Sequence, residues 1–188
     1  MRGVALLAIA AWGVFSRDAR AEEVAVPEGL QAQLVGKMAA YDRAFAARAG
    51  ERAHLLIFEK PGDADSARTA AHLEAALRAL PDVGGLPHDE TIVTWAGAAA
   101  LPEAVRARHA AIVYFTPGFA PDVEAIRTAL DGVDVLSVTA VPDYVPRGVV
   151  LGFDLVGGKP KLLVNLSQAR TQHVAFQAEV LKMAKVYE

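Results

Sequence analysis

The stretch that decides the fold runs from Asp134 to Arg170 and reads DVLSVTAVPDYVPRGVVLGFDLVGGKPKLLVNLSQAR. It opens with a strand pattern at residues 133–141 and then passes through a loop bounded by prolines. Two short apolar runs follow, Val149–Val156 and Lys161–Leu166, separated by Gly-Gly-Lys-Pro. Such runs around a glycine-rich turn predict an antiparallel hairpin. The stretch contains no motif for a catalytic triad, a metal site or a phosphate loop.

Upstream of this stretch, short apolar strands alternate with helical patterns. Strands are predicted at residues 54–59, 90–96 and 110–118, and helices at residues 64–80, 101–109 and 120–132. Continuous apolar strands alternating with helices are typical of a parallel sheet covered on both faces. The sequence therefore predicts one three-layer α/β domain with a largely parallel central sheet, a C-terminal antiparallel hairpin and flanking helices.

Two further helices are predicted at the ends of this domain. Between Pro27 and Arg48, apolar side chains recur every three or four residues, which indicates one amphipathic helix. The final segment, residues 167–188, has the same periodicity with Ser167 as its N-cap. We expect an exposed apolar patch on one of these helices, which would suit a membrane partner or a second copy of the chain in a homodimer.

The N-terminus has the features of a secretory signal peptide. Arg2 precedes an uncharged run at residues 3–15, and Ala19-Arg20-Ala21 is a small-x-small cleavage signal. The run is about 13 residues, which is shorter than the roughly 20 residues of a membrane-spanning helix. We therefore expect a signal peptide at residues 1–21, cleavage after Ala21 and an exported domain at residues 22–188. An uncleaved anchor is the alternative, and the cleavage signal argues against it.

The composition excludes several kinds of function. The chain has no cysteine, so it can form no disulfide, thiol nucleophile or thiolate metal site. Its formal net charge is −3 without a basic run, which argues against nucleic-acid binding. The five histidines are scattered, and no two have the spacing of a helical metal site. We expect no catalytic residues, no metal and no cofactor, although a site assembled from distant loops stays open.

A few polar residues are candidates for binding. Asp63 and Asp65 lie in a turn before a helix, where they favour the helix dipole and could also hold a cation or an amine. Arg147 lies between a proline and Gly148 in a constrained loop, and its guanidinium could bind a carboxylate or phosphate. Asn165 ends an apolar strand, where its amide could bind a ligand or tie the hairpin to a neighbouring loop.

The series from Val135 to Val186 resembles the C-terminal half of YfiR/HmsC-like periplasmic proteins. In that family a "vLtVsd" strand leads through a loop ending in Gly-Gly to a hydrophobic strand, a turn, a strand ending in Asn and a last helix. Val135–Thr139, Arg147-Gly148, Asn165 and Leu181–Ala184 fall on these positions in order. The resemblance implies an exported, non-enzymatic regulator of a membrane partner, which in the namesake system is an inner-membrane diguanylate cyclase repressed from the periplasm. Cyclic di-GMP signalling and biofilm formation are the implied outputs.

Three features depart from the family pattern. Several members contain cysteines, whereas this chain has none. The second glycine of the Gly-Gly pair is Val149, and the N-terminal aromatic "F..W" motif is replaced by YDRAFAARAG at residues 41–50. The alternative function is a small-molecule-binding module resembling half of a periplasmic solute-binding protein. Its ligand would bind at the strand ends, at residues 61–65, 116–119 and 141–147.

Overall fold

A computed structural model describes residues 26–188. The predicted signal peptide, residues 1–21, lies outside the described residues. Within the described part of the chain, no helix combines the length and apolar character needed to cross a bilayer.

One seven-stranded sheet forms the centre of the domain, in the order β2-β1-β3-β4-β5-β6-β7. All neighbouring strands are parallel except β5 and β6, which form the antiparallel hairpin. The strands are β1 (Ala53–Glu59), β2 (His88–Thr94), β3 (Ala110–Phe115), β4 (Leu136–Thr139), β5 (Leu151–Val156), β6 (Lys159–Asn165) and β7 (Lys185–Tyr187). This arrangement confirms the predicted fold class and the predicted hairpin.

Seven α-helices accompany the sheet in the described residues. They are α1 (Glu28–Ala40), α2 (Phe45–Ala49), α3 (Ala64–Arg78), α4 (Leu101–Ala107), α5 (Val123–Ala129), α6 (Leu166–Thr171) and α7 (Ala178–Met183). Helix α1 packs against α3, and α4 packs against α5. Strand β3 is buried along its whole length because it lies inside the sheet and between helical layers. Its uninterrupted apolar sequence, AAIVYF, is what this position requires.

Both terminal helices were predicted as continuous, and both predictions are wrong. The first helix ends at Ala40, and a separate short helix begins at Phe45. The last segment divides into α6 and α7, with the short strand β7 after them. The N-cap of α6 is Asn165 and not Ser167. A left-handed residue, His173 with φ 54°, follows the end of α6 and turns the chain away from the helical path.

A buried ion pair lies where these two interruptions meet. The carboxylate of Asp42 accepts hydrogen bonds from the Arg48 guanidinium at 2.6 Å and from the backbone N–H of Ala175 at 2.9 Å. Arg48 also donates to Asp134 at 2.7 Å and to the carbonyl of His173 at 3.1 Å. The side chains of Asp42 and Arg48 are 0% and 2% exposed. We call these five residues the Asp42 lock, because they join three distant segments of the chain. For the Asp42 carboxylate to bond to Arg48 and to the Ala175 N–H, the backbone must leave the helical path both near Asp42 and near Ala175. Apolar periodicity alone does not reveal these two breaks.

Candidate functional site

The strand order reverses direction between β1 and β3, and ligands of open α/β sheets usually bind at the carboxyl end of such a switch point. The loops that follow β1 and β3 both lie there, as the solute-binding alternative requires. Gly118, after β3, approaches Asp63, after β1, so closely that an added Cβ would lie 2.8 Å from the Asp63 carboxylate. The structure thus brings two of the three predicted ligand loops into contact.

The polar groups of these loops bond to one another. The backbone N–H of Lys60 donates to the Ser66 hydroxyl at 2.7 Å, and the Ser66 and Thr116 hydroxyls lie 2.6 Å apart. The Thr116 hydroxyl donates onward to the carbonyl of Phe58 at 2.8 Å. Since each hydroxyl has one proton, the chain of donors runs from Lys60 through Ser66 and Thr116 to Phe58. Ser66 and Thr116 are fully buried, so this chain closes the crevice between the two strands.

An aromatic cluster seals the same end of the sheet. Phe58, Trp95, Phe115 and Phe119 pack with ring centroids 5.2–6.3 Å apart. The Lys60 ammonium lies 5.4 Å from the Phe119 ring centroid and forms an ion pair with Asp122. The third loop joins here as well, because the Tyr144 hydroxyl accepts a hydrogen bond from the Phe119 N–H at 2.9 Å. All three predicted ligand loops meet, yet they fill the switch point with their own side chains.

Asp63 and Asp65, at the start of α3, bond within that helix. Asp63 is the N-cap and accepts the N–H of Ser66 at 2.9 Å, while Asp65 pairs with Arg68 at 2.8 Å. Over residues 26–188, no three histidine or acidic side chains come close enough to hold a metal ion. Within that range such side chains meet in pairs, for example His54 with Asp89 at 2.8 Å.

A polar cleft of about 370 Å³ lies between α5 and α6, and it includes two of the predicted binding residues. Its lining consists of charged, amide and hydroxyl side chains with one proline: Glu124, Arg127, Pro146, Arg147, Asn165, Ser167, Gln168, Thr171 and Glu188. Arg147 comes from the loop after β4 and Asn165 from the end of β6. We call it the arginine cleft, because two guanidinium groups lie on its wall.

Arg147 holds the loops together and remains partly accessible. Its Nη2 donates to the carbonyl of Ala120 at 2.7 Å, and its Nε lies 3.8 Å from a carboxylate oxygen of Glu124. The second oxygen of Glu124 accepts from Arg127 at 3.3 Å. The side chains of Arg147 and Arg127 are 37% and 51% exposed, so these ion pairs are solvent-screened and contribute little to stability. The Glu124 carboxylate therefore lies between two solvent-accessible guanidiniums.

Gly148 occupies a position that only glycine fits. Its φ is 130°, and a Cβ there would lie 2.4 Å from Cγ of Arg127. The side chain of Arg127 therefore lies against the backbone of the loop and holds the wall of the arginine cleft. Val149, which replaces the second family glycine, is buried at 1% exposure.

Asn165 connects the hairpin, the preceding loop and α6. Its Nδ2 donates to the carbonyl of Val145 at 2.8 Å, and its Oδ1 accepts the N–H of Gln168 at 3.0 Å as the helix N-cap. With 7% exposure, the amide forms the floor of the cleft and fixes its shape. Sequence reasoning missed Glu124 and Arg127. Their spacing of three residues on one helix was the available signal, but nothing in the sequence placed that helix beside Arg147.

Comparison with known families decides the affiliation of the chain. The profile of YfiR/HmsC-like proteins matches residues 28–185. The chain belongs to the YfiR/HmsC-like family. The match extends the resemblance from the C-terminal half to nearly all of the described domain. Among individually curated proteins, none matches the chain.

Solved structures share the fold of this YfiR/HmsC-like chain at low sequence identity. A conserved domain protein from Vibrio cholerae O1 biovar El Tor aligns with a TM-score of 0.61 and 14% identity, over 86% of this chain and 60% of its own. An ABC domain in complex with L-Trp from Streptococcus pneumonia has a TM-score of 0.59 and 11% identity, over 86% and 62%. A ligand-free, open substrate-binding protein with adhesive properties from Clostridium difficile has 0.51 and 8%, over 77% and 57%. The chain spans about 60% of the first of these structures, and the likeness is one of fold.

Proposed function

We propose that this protein is an exported regulator that acts in the periplasm by binding a membrane protein, without catalysing a reaction itself. The observation that carries the proposal is the YfiR/HmsC-like match over residues 28–185. The family is regulatory, and its namesake represses an inner-membrane diguanylate cyclase. We propose the same class of partner here, with cyclic di-GMP and biofilm formation as outputs.

The arginine cleft is the surface we propose for that partner. A carboxylate of the partner would displace Glu124 and bind between Arg127 and Arg147, whose planar guanidiniums favour paired hydrogen bonds to carboxylates. Gly148 and Asn165 would act by holding the wall and floor in place. The filled switch point supports this proposal over the solute-binding alternative, because a ligand there would have to displace the Ser66–Thr116 hydrogen bond.

The test is deletion of the gene in its own host, with cyclic di-GMP measured in the cells. We expect deletion to raise cyclic di-GMP and the full-length wild-type gene to restore it. An unchanged level after deletion would rule out the cyclase as partner. A pull-down of membrane proteins with the periplasmic protein as bait would then show whether another receptor is bound.

The role of the cleft is tested by complementation with Arg147→Ala. Arg106→Ala is the matched control, because Arg106 is another exposed arginine and pairs with Glu103 on its own helix. We expect the control to restore the wild-type level and Arg147→Ala to fail at equal protein abundance. If both variants complement equally, the cleft is not the partner surface.

A further inference from the structure

The tip of the β5–β6 hairpin has an unusual concentration of exposed apolar side chains. Four large hydrophobic side chains are exposed in the part of the chain that the structure describes, and three of them lie here: Leu155, Val156 and Met183, at 41%, 61% and 60%. Met183, at the end of α7, lies beside the hairpin because its carbonyl accepts a hydrogen bond from Lys161 at 2.7 Å. We call these three residues, with the adjoining lysines, the hairpin patch.

The charge around the hairpin patch is opposite to that of the whole chain. The chain has a net charge of −3, yet four lysines border the patch: Lys159, Lys161, Lys182 and Lys185. The hairpin itself contains one acidic residue, Asp154, which lies opposite Lys161 in the register. Helix α7, which carries Lys182 and Met183, contains one acidic residue as well, Glu179, so the four lysines exceed the nearby carboxylates by two. Glu188, after β7, lines the arginine cleft. A basic patch on an acidic protein selects a negatively charged partner.

The arrangement of the apolar side chains distinguishes between a protein and a membrane as that partner. Leu155 and Val156 are consecutive in β5, so their side chains project from opposite faces of the hairpin. A protein surface that covers one face would leave the other in water. A lipid headgroup layer surrounds an inserted tip on both sides, and lysine stems reach from the apolar region to the phosphates.

The backbone of the tip is suited to this environment. Val156 pairs with Lys159 across a two-residue turn, Gly157-Gly158, with φ values of 58° and 73°. Such a short turn leaves few backbone groups without partners, which limits the cost of entering the headgroup region.

We propose that the hairpin patch is a membrane-docking element that binds an anionic lipid surface through Leu155, Val156 and Met183 and the surrounding lysines. The element positions the protein at the bilayer independently of any protein partner. The binding is peripheral: three apolar side chains and four lysines give reversible attachment.

The test is co-sedimentation of the periplasmic protein with vesicles that contain no protein. The vesicles are phosphatidylethanolamine with about one third phosphatidylglycerol, compared with pure phosphatidylcholine, since anionic lipid is what the lysines recognise. We expect binding to the anionic vesicles that weakens as salt is raised, because salt screens the attraction. Binding to neither vesicle, or equal binding to both, would overturn the proposal.

Two variants and one control locate the surface. Lys159→Glu should weaken binding by about fivefold or more, and Val156→Asp should reduce it to the phosphatidylcholine level. Lys37→Glu makes the same charge change at an exposed position on α1 and should bind as the wild type does. Loss in all three variants, or in none, contradicts the assignment. Because no cyclase is present, the result does not depend on the proposed regulatory partner.

Discussion

Replacing Asp42, the carboxylate of the Asp42 lock, by alanine should lower the free energy of unfolding more than replacing an exposed aspartate by alanine. In Asp42→Ala, the buried Arg48 guanidinium loses its buried counter-charge, and the N–H groups of Ala44 and Ala175 lose their acceptor. Removing one partner of a buried pair typically costs about 3–5 kcal/mol. Because Arg48 keeps Asp134 and the carbonyl of His173, we expect the lower end, about 3 kcal/mol.

Two further variants separate the contributions to this cost. Asp42→Asn keeps an oxygen for the two N–H groups but removes the charge, so we expect a loss of about 2 kcal/mol. Asp134→Ala removes the other carboxylate from Arg48, but Asp134 is 57% exposed, so its loss should cost less than about 1 kcal/mol. The assay is equilibrium urea unfolding, in which the midpoint falls while the slope stays constant. A cost for Asp42→Ala no greater than that for Asp134→Ala would refute the reasoning.

Two other predictions concern single positions. Gly148→Ala should lower the free energy of unfolding by about 1–3 kcal/mol, because the new methyl group meets the Arg127 side chain and the φ angle is strained for alanine. Gly157→Ala is the control: its φ is 58°, but no atom lies within 4 Å of the added Cβ. It should lower the free energy of unfolding by less in the same urea assay. Burial, and to a smaller extent the negative charge of Glu28, raises the pKa of Tyr114 well above its ordinary value. The Tyr114 hydroxyl donates a hydrogen bond to the Gln31 side chain at 2.6 Å. The folded state therefore keeps this proton after the unfolded chain has lost it, so stability is intact below about pH 10 and falls above it by up to about 1.4 kcal/mol per pH unit. Unfolding of Tyr114→Phe measured across this range should show a shallower decline, and an unchanged decline would contradict the assignment.

The sequence was sufficient for six of the seven strands of the sheet but not for the two ends of the domain, where β7 was predicted as helix. Strand β3 and the hairpin have patterns that burial dictates directly, so their existence could be predicted from period and turn residues. The breaks at Asp42 and at residues 172–177 could not, because each depends on the other across more than 130 residues of chain. An isolated helix through Asp42 would satisfy the local periodicity. The hydrogen bonds of Asp42 to Arg48 and to the Ala175 N–H break the helix instead. No local sequence pattern predicts the bond to Ala175.

The same limit applied to the candidate site. Arg147 stood out because a proline and a glycine constrain it, and Asn165 because an amide is unusual at the end of an apolar strand. Neither signal indicated that the two residues share a cleft, which follows from the order β4-β5-β6 in the sheet. The predicted ligand loops were correctly placed at one edge, but their mutual packing depends on hydroxyl and aromatic contacts between separate βα units. Such contacts become visible only in three dimensions.

The two proposed surfaces lie at opposite ends of the hairpin, and this has a geometric consequence. Asn165, on the floor of the arginine cleft, ends β6, whereas Gly157 and Gly158 form the tip at the other end. Six paired residues at about 3.4 Å each separate the two ends by about 20 Å. With the tip in the headgroup layer and the hairpin along the bilayer normal, the cleft would lie about 20 Å above the headgroups. A membrane protein bound there would present its acidic group in a domain that projects from the bilayer, and a partner confined to the lipid phase would be out of reach.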